Sequence, residues 1–97
     1  YCFQLNIAEE NSIQENLTQL VEKWGLPQGV VNNAGITKDN LLLRMKTAEF
    51  DEVIATNLRG SFLVTKFFVK SFLKARAGSI VNITSVIGQT GNAGQAN

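Results

Sequence analysis

Apolar positions follow two rhythms along this chain. Val30 and Val31, then Ile80, Val81 and Ile83, form short β-branched runs with little polar alternation. That is the pattern of strands buried on both faces. Elsewhere apolar residues recur every three or four positions, as on helices. Ile13, Leu17, Leu20, Val21 and Trp24 fall at i, i+4, i+7, i+8 and i+11. Ser12 with Glu15 supplies a capping box at the start of that helix, and Gly25 and Pro27 stop it. Residues 2–5 read as a further short strand ending at Asn6. The chain therefore opens strand, helix, strand.

The second strand ends in GVVNNAGIT, residues 29–37. Asn32 and Asn33 favour a turn, and Ala34 and Gly35 are small enough for a backbone or a flat ligand to lie against them. Such a turn at the carboxyl end of a buried strand is where open α/β sheets place ligands. A plain strand exit is the competing reading. Residues 39–45 have room for one helical turn. Thr47 reads as the N-cap of a helix reaching about Ala75, with Glu49, Asp51 and Glu52 at its acid-favouring end. Lys74 and Arg76 sit at its other end, and Gly78 stops it.

This long helix carries two stripes. One runs Phe50, Val53, Ile54, Asn57, Ser61, Val64 and Phe68; the other runs Leu58, Phe62, Thr65, Val69 and Leu73. A sheet covers only one side of a helix, so the second stripe predicts a partner subunit. Residues 79–84 form the next strand, and residues 86–97 read as a glycine-rich loop. Strands joined by long crossovers run parallel with right-handed connections. The expected fold is α/β, a doubly wound parallel sheet.

Two polar residues stand out. Asn57 is the one amide in an apolar stripe, and an unpaired buried amide costs about 1–3 kcal/mol. It either bonds a nearby backbone kink or holds a water or catalytic side chain at the ligand edge. Ser85 lies at the end of a buried strand, on the same sheet edge as NNAG. With no histidine and no G-x-S-x-G around it, Ser85 is a hydrogen-bond donor to a carbonyl or a simple turn cap, not a hydrolase nucleophile.

Composition narrows the classes without deciding among them. The 97 residues are 44% hydrophobic and 18% charged, with net charge +1, which suits one small domain. No basic surplus points to nucleic acid, no apolar stretch is long enough for a membrane, and no signal peptide is visible. One cysteine, Cys2, excludes an internal disulfide and fits a reducing compartment. Without histidine, no zinc or haem site is expected. The chain opens inside a strand and closes in a loop, so it reads as an interior segment, residues 1–97, of one larger dinucleotide-binding domain.

NNAG (32–35), Asn57 within TNL, and VNITS (81–85) together resemble the short-chain dehydrogenase/reductase family in order and spacing. ITKDNLLLRMK (36–46) and SVIGQTGNAGQAN (85–97) are similar to its bacterial and plastid 3-oxoacyl-[acyl-carrier-protein] reductases. The resemblance implies a Rossmann-like sheet represented by about strands 3 to 5 with their crossover helices. It implies NADPH as cofactor, a 3-oxoacyl substrate on acyl carrier protein, and a place in fatty-acid biosynthesis. It assigns catalysis to Ser85 and Asn57, with Ser85 also binding substrate. Cofactor contacts fall to Asn6, Ile7, Asn33, Ala34, Gly35 and Ile83, and carrier-protein docking to Arg76.

A homodimer or homotetramer through the 47–75 helix is implied too, in bacterial cytoplasm or plastid stroma. The family's glycine-rich phosphate loop and its YxxxK pair have no counterpart in these residues; the tyrosine would follow Asn97 directly. Pro27-Gln28-Gly29 replaces a stretch that usually includes an aspartate. The alternatives are a short-chain reductase of a small alcohol, sugar or steroid, and a non-catalytic binding or dimerisation fragment.

Overall fold

The computed structural model describes residues 2–97. Helix α1 spans Glu10–Trp24, two residues earlier than its expected cap at Ser12. The start is set by Asn6, whose Oδ1 accepts the Ala8 N–H (3.1 Å) and whose Nδ2 donates to Glu9 Oε1 (2.9 Å). Ser12 instead accepts the Asn6 N–H at 3.2 Å, tying the first turn to the preceding loop. Gly25 ends the helix at φ +82° with its N–H on the Val21 carbonyl, as the sequence predicts. Ile13 and Leu17 are buried. Trp24, on the same stripe, is exposed at the last helical position, where the Lys23 ammonium stands 5.6 Å from its ring centre.

Strands β1 (Gly29–Asn32) and β2 (Ser79–Asn82) pair in parallel, Gly29 opposite Ser79 and Asn32 opposite Asn82. Val30 and Ile80 are half-buried and pack against the core, while Val31 and Val81 are exposed. The expected strand at residues 2–5 joins no ladder among the described residues, because β1 and β2 pair only with each other. Its Leu5, with Ile7 beyond it, packs on the apolar core instead. The fold is α/β, a partial Rossmann-like unit with a two-stranded parallel sheet.

The crossover departs from one continuous helix. It consists of α2 (Thr47–Ile54), a π-helical turn (Ala55–Gly60) and α3 (Ser61–Ala75). At its start Lys46, not Thr47, occupies the cap position, its N–H donating to Glu49 Oε2 at 2.8 Å. The wide turn coincides with three outward ties. Asn57 reaches Ile36, Arg59 donates to the Ala8 carbonyl, and a Cβ on Gly60 would stand 2.8 Å from Ile7 side-chain carbons. π-Turns are commonest at functional sites. The extra residue in this turn also shifts the buried face. Leu63 and Phe72, absent from the expected stripe, join Val64 and Phe68 in the core, whereas Phe50 is exposed. Of the second stripe, Leu58, Phe62, Val69 and Leu73 all face solvent.

At the end of α3 the left-handed position belongs to Arg76 (φ 54°), not to Gly78. Gly78 is needed for another reason: at φ +142°, any Cβ there would overlap the Phe72 ring. The expected loop at 86–97 contains one helical turn, α4 (Ile87–Thr90). The segment after it folds back on residues 38–40. Asn40 N–H donates to the Gly94 carbonyl (2.9 Å), Gln95 Nε2 to Asp39 Oδ1 (3.2 Å) and Asn97 Nδ2 to the Lys38 carbonyl (2.8 Å). The helical turn expected in 39–45 is present, with the Arg44 and Met45 N–H groups on the Leu41 carbonyl.

The Cα radius of gyration is 15.5 Å and the extents are 47 × 25 × 22 Å. A compact chain of this length has a radius near 12.5 Å. Seven apolar residues are buried, while Val31, Val81 and Ile83 lie exposed along the strands. The 97 residues on their own are therefore expected to self-associate rather than melt as a monomer. Light scattering with thermal unfolding checks this, and a monomer with one cooperative transition overturns it.

Candidate active site

The carboxyl ends of β1 and β2 open into a cleft of about 490 Å³. Asn33, Ala34 and Gly35 line it from the β1 side, Ile83, Thr84 and Ser85 from the β2 side, and Asn57 and Ser61 from the crossover. An adjoining cleft of about 280 Å³ shares Asn57 and Ser85 and is bounded by Gln95 and Asn97 of the returning tail. Parallel pairing explains the convergence, since both strands deliver their ends to the same edge. Asn32 and Asn82 lock that edge: Asn32 Nδ2 donates to Asn82 Oδ1 at 2.8 Å and to Thr65 Oγ1 at 3.2 Å, fastening both strands to α3.

Asn57 holds the turn itself. Its Oδ1 accepts the Ile36 N–H and its Nδ2 donates to the Ile36 carbonyl, both at 2.9 Å. The side-chain amide thus mimics one rung of a β-ladder and fixes NNAG against the π-turn. Gly35 makes this possible, because a Cβ there would sit 3.4 Å from Asn57 Oδ1. With the side chain committed, the Asn57 carbonyl accepts the Ser61 hydroxyl at 3.2 Å. Asn57→Ala is expected to cost about 1 kcal/mol and to loosen the turn. Melting and proteolysis of the full-length protein check this, and unchanged values for both overturn it.

Ser85 Oγ accepts the Ile87 N–H at 3.3 Å, and the Ser85 carbonyl accepts the Gly88 N–H at 3.0 Å. The hydroxyl is therefore oriented by α4 on its acceptor side, and its proton makes no bond to another described residue. A serine held in this way can donate into the cleft.

The cleft unites Asn33, Ala34, Gly35, Asn57, Ile83 and Ser85. Asn6 and Ile7 lie outside its lining, with Asn6 capping α1 and Ile7 packed on Gly60. Arg76 precedes β2 and Ser85 follows it, so they stand at opposite ends of the strand, about 20 Å apart at strand pitch. Thr37 and Thr84 also line the cleft and were not singled out from the sequence. Their signal was adjacency, each directly following a residue that was.

The whole chain, residues 1–97, matches the short chain dehydrogenase family. The chain belongs to that family. It is 45% identical over 97 residues to a protein of Staphylococcus epidermidis called 3-oxoacyl-[acyl-carrier-protein] reductase FabG, covering all of this chain and 40% of that protein. Proteins of the same name from Thermotoga maritima and Vibrio cholerae are 47% and 44% identical over 95 and 93 residues. These alignments take in 98% and 96% of this chain, and 39% and 38% of the relatives. This short-chain dehydrogenase chain thus spans about two-fifths of the length of the curated relatives it matches. Membership makes the protein an oxidoreductase that uses a nicotinamide cofactor.

The cleft suits that group. Ala34 and Gly35 present little side chain, and backbone amides at both strand ends supply polar contacts beside an apolar wall at Ile83. Among the described residues no cluster of His, Cys, Asp or Glu could hold a metal ion. No helix is long and apolar enough to cross a membrane.

Proposed function

We propose that the full-length protein reduces the 3-oxo group of acyl chains borne on acyl carrier protein, using NADPH, in bacterial fatty-acid biosynthesis. The observation that carries this is the convergence of Ser85, Asn57 and the NNAG turn on one cleft, in a chain 44–47% identical to three proteins named for that activity. When bound, the cofactor supplies hydride to the carbonyl carbon.

The chain's own residues have three tasks. Asn33, Ala34 and Gly35, with Ile83 opposite, form the walls against which the nicotinamide half lies. Ser85 donates its hydroxyl proton in a hydrogen bond to the substrate oxygen, which gains negative charge as the carbonyl is reduced. Its acceptor side is already occupied by the Ile87 N–H, so the donor direction is set before substrate arrives. Asn57 keeps the NNAG turn and the π-turn in register, and its carbonyl stands at the site for a relayed proton. Asn6 and Ile7 serve the adenine end of the cofactor, behind the π-turn. Arg76 serves carrier docking away from the reacting carbonyl. The exposed stripe on α3 is the face we assign to a homodimer or homotetramer, and the compartment is the bacterial cytoplasm.

The test is NADPH oxidation by the full-length protein with a 3-oxoacyl thioester, against NADH and against small ketones and sugars. Turnover confined to small ketones or sugars would assign a different short-chain reductase. No turnover of any carbonyl would reduce the fold to a binding module.

A further inference from the structure

Charge is segregated along this chain. All eight acidic residues lie between Glu9 and Glu52, and none lies between 53 and 97. Five of the nine cations fall in that acid-free part: Arg59, Lys66, Lys70, Lys74 and Arg76. The net charge of +1 therefore conceals an acidic first half and a wholly basic second one. Arg59 is answered by Glu10 at 3.4 Å. Lys66, Lys70, Lys74 and Arg76 have no acidic partner among the described residues. Spaced four apart, the three lysines share one face of α3 over about 12 Å of helix axis.

This row borders a groove of about 470 Å³ between α1 and α3, floored by Ile13, Val21, Leu26, Leu63 and Phe67. Past Leu26 the groove continues to Lys74 and Ala75. Its α1 rim carries Glu10 and Glu22. Glu10 is already paired with Arg59, which leaves Glu22 as the single unanswered acid against four unanswered cations. An apolar floor flanked by cations at helical pitch fits one kind of occupant, an amphipathic helix with acids along one flank.

We propose that the α1–α3 groove docks an acidic amphipathic helix of the protein that carries the substrate, with Lys66, Lys70, Lys74 and Arg76 meeting its carboxylates. This rests on the reading that the substrate arrives on a carrier protein. It extends the docking role of Arg76 from one residue to a surface and gives that surface an axis. α3 begins at Ser61, which lines the active-site cleft, and Lys66 lies about 8 Å further along the same helix. A carrier seated along the row therefore lies end-on to the cleft, with its substrate arm passing the first turn of α3.

The experiment titrates fluorescently labelled acyl carrier protein into the full-length enzyme and into the double variant Lys66→Glu, Lys70→Glu, at low and high salt. The expected result is binding at least tenfold weaker in the variant. Raising salt from about 0.05 to 0.5 M should weaken the wild type and move the variant little. Unchanged binding in the variant, or no binding by the wild type, overturns the docking surface. Turnover of a short 3-oxoacyl thioester, which needs no carrier, is expected to be equal in both proteins. Its absence in the wild type would count against the catalytic reading while binding still decides the docking. If the charge reversal lowers the melting temperature, Lys66→Gln, Lys70→Gln and the wild-type salt titration take its place.

Discussion

Replacing Ser85 by alanine in the full-length enzyme is expected to lower kcat about a hundredfold with little change in KM, since one donor to a developing oxyanion is worth 10²–10³ in rate. The argument is geometric. Ser85 follows the buried strand β2, so its Cα is placed by the sheet rather than by a mobile loop. The Ile87 N–H fixes one lone pair of Oγ, and no described residue takes its proton. A donor oriented in advance costs no reorganisation when charge develops on the substrate oxygen, and it contributes little to holding the uncharged ketone. Rate should therefore suffer and binding should not. Ser85→Thr, which keeps the hydroxyl, should recover part of the loss. Turnover of Ser85→Ala near the wild-type value would leave Ser85 as a cap for α4 and nothing more.

Ser85 and Asn57 show what could be read from the sequence and what could not. Both were found because they break an apolar pattern beside a strand end, and parallel β-pairing does bring them to one cleft. The α/β class followed from β-branched runs separated by helical spacing, a signal that survives without tertiary information. The partner of Asn57 was not legible. Its two bonds run to the backbone of Ile36, 21 residues away, and no local spacing encodes a side chain that copies a ladder rung. The π-turn was hidden for the same reason. A 47–75 helix reads as continuous in propensity, and the turn widens where Asn57, Arg59 and Gly60 are tied to distant segments.

Element starts slipped where two groups competed for one cap. Ser12 had the right spacing to Glu15, yet Asn6 and Glu9 close the helix start two residues earlier. The strand at residues 2–5 failed differently. A strand is completed by its neighbour, and neither β1 nor β2 offers one to it. The four-residue helix α4 was missed because a glycine-rich sequence gives it no propensity; the Ser85 hydroxyl and carbonyl hold its first turn.

Gly78→Ala is expected to be the most damaging small substitution for stability, costing roughly 3–5 kcal/mol in the full-length protein. Two independent penalties combine there. At φ +142° an L-residue is strained, by about 1–3 kcal/mol. The added methyl would also overlap the ring of Phe72, which is 8% exposed and part of the core cluster with Phe68, its stacked neighbour at 5.8 Å. Moving that ring disturbs the core at the point where α3 hands the chain to β2, a further cost of about 1–3 kcal/mol. For a domain of 150–250 residues this corresponds to a fall in Tm of roughly 10 °C. Gly88→Ala is the control. No heavy atom lies within 4 Å of a Cβ at that position and Gly88 sits inside α4, so alanine should be neutral or slightly stabilising. Thermal melts of the two variants separate the explanations. A large loss at both positions would mean that glycine is required throughout this region for flexibility. A large loss at Gly78 alone locates the requirement at the Phe72 ring. A Gly78→Ala protein that melts with the wild type would show that the ring and the α3–β2 junction can move aside at no cost.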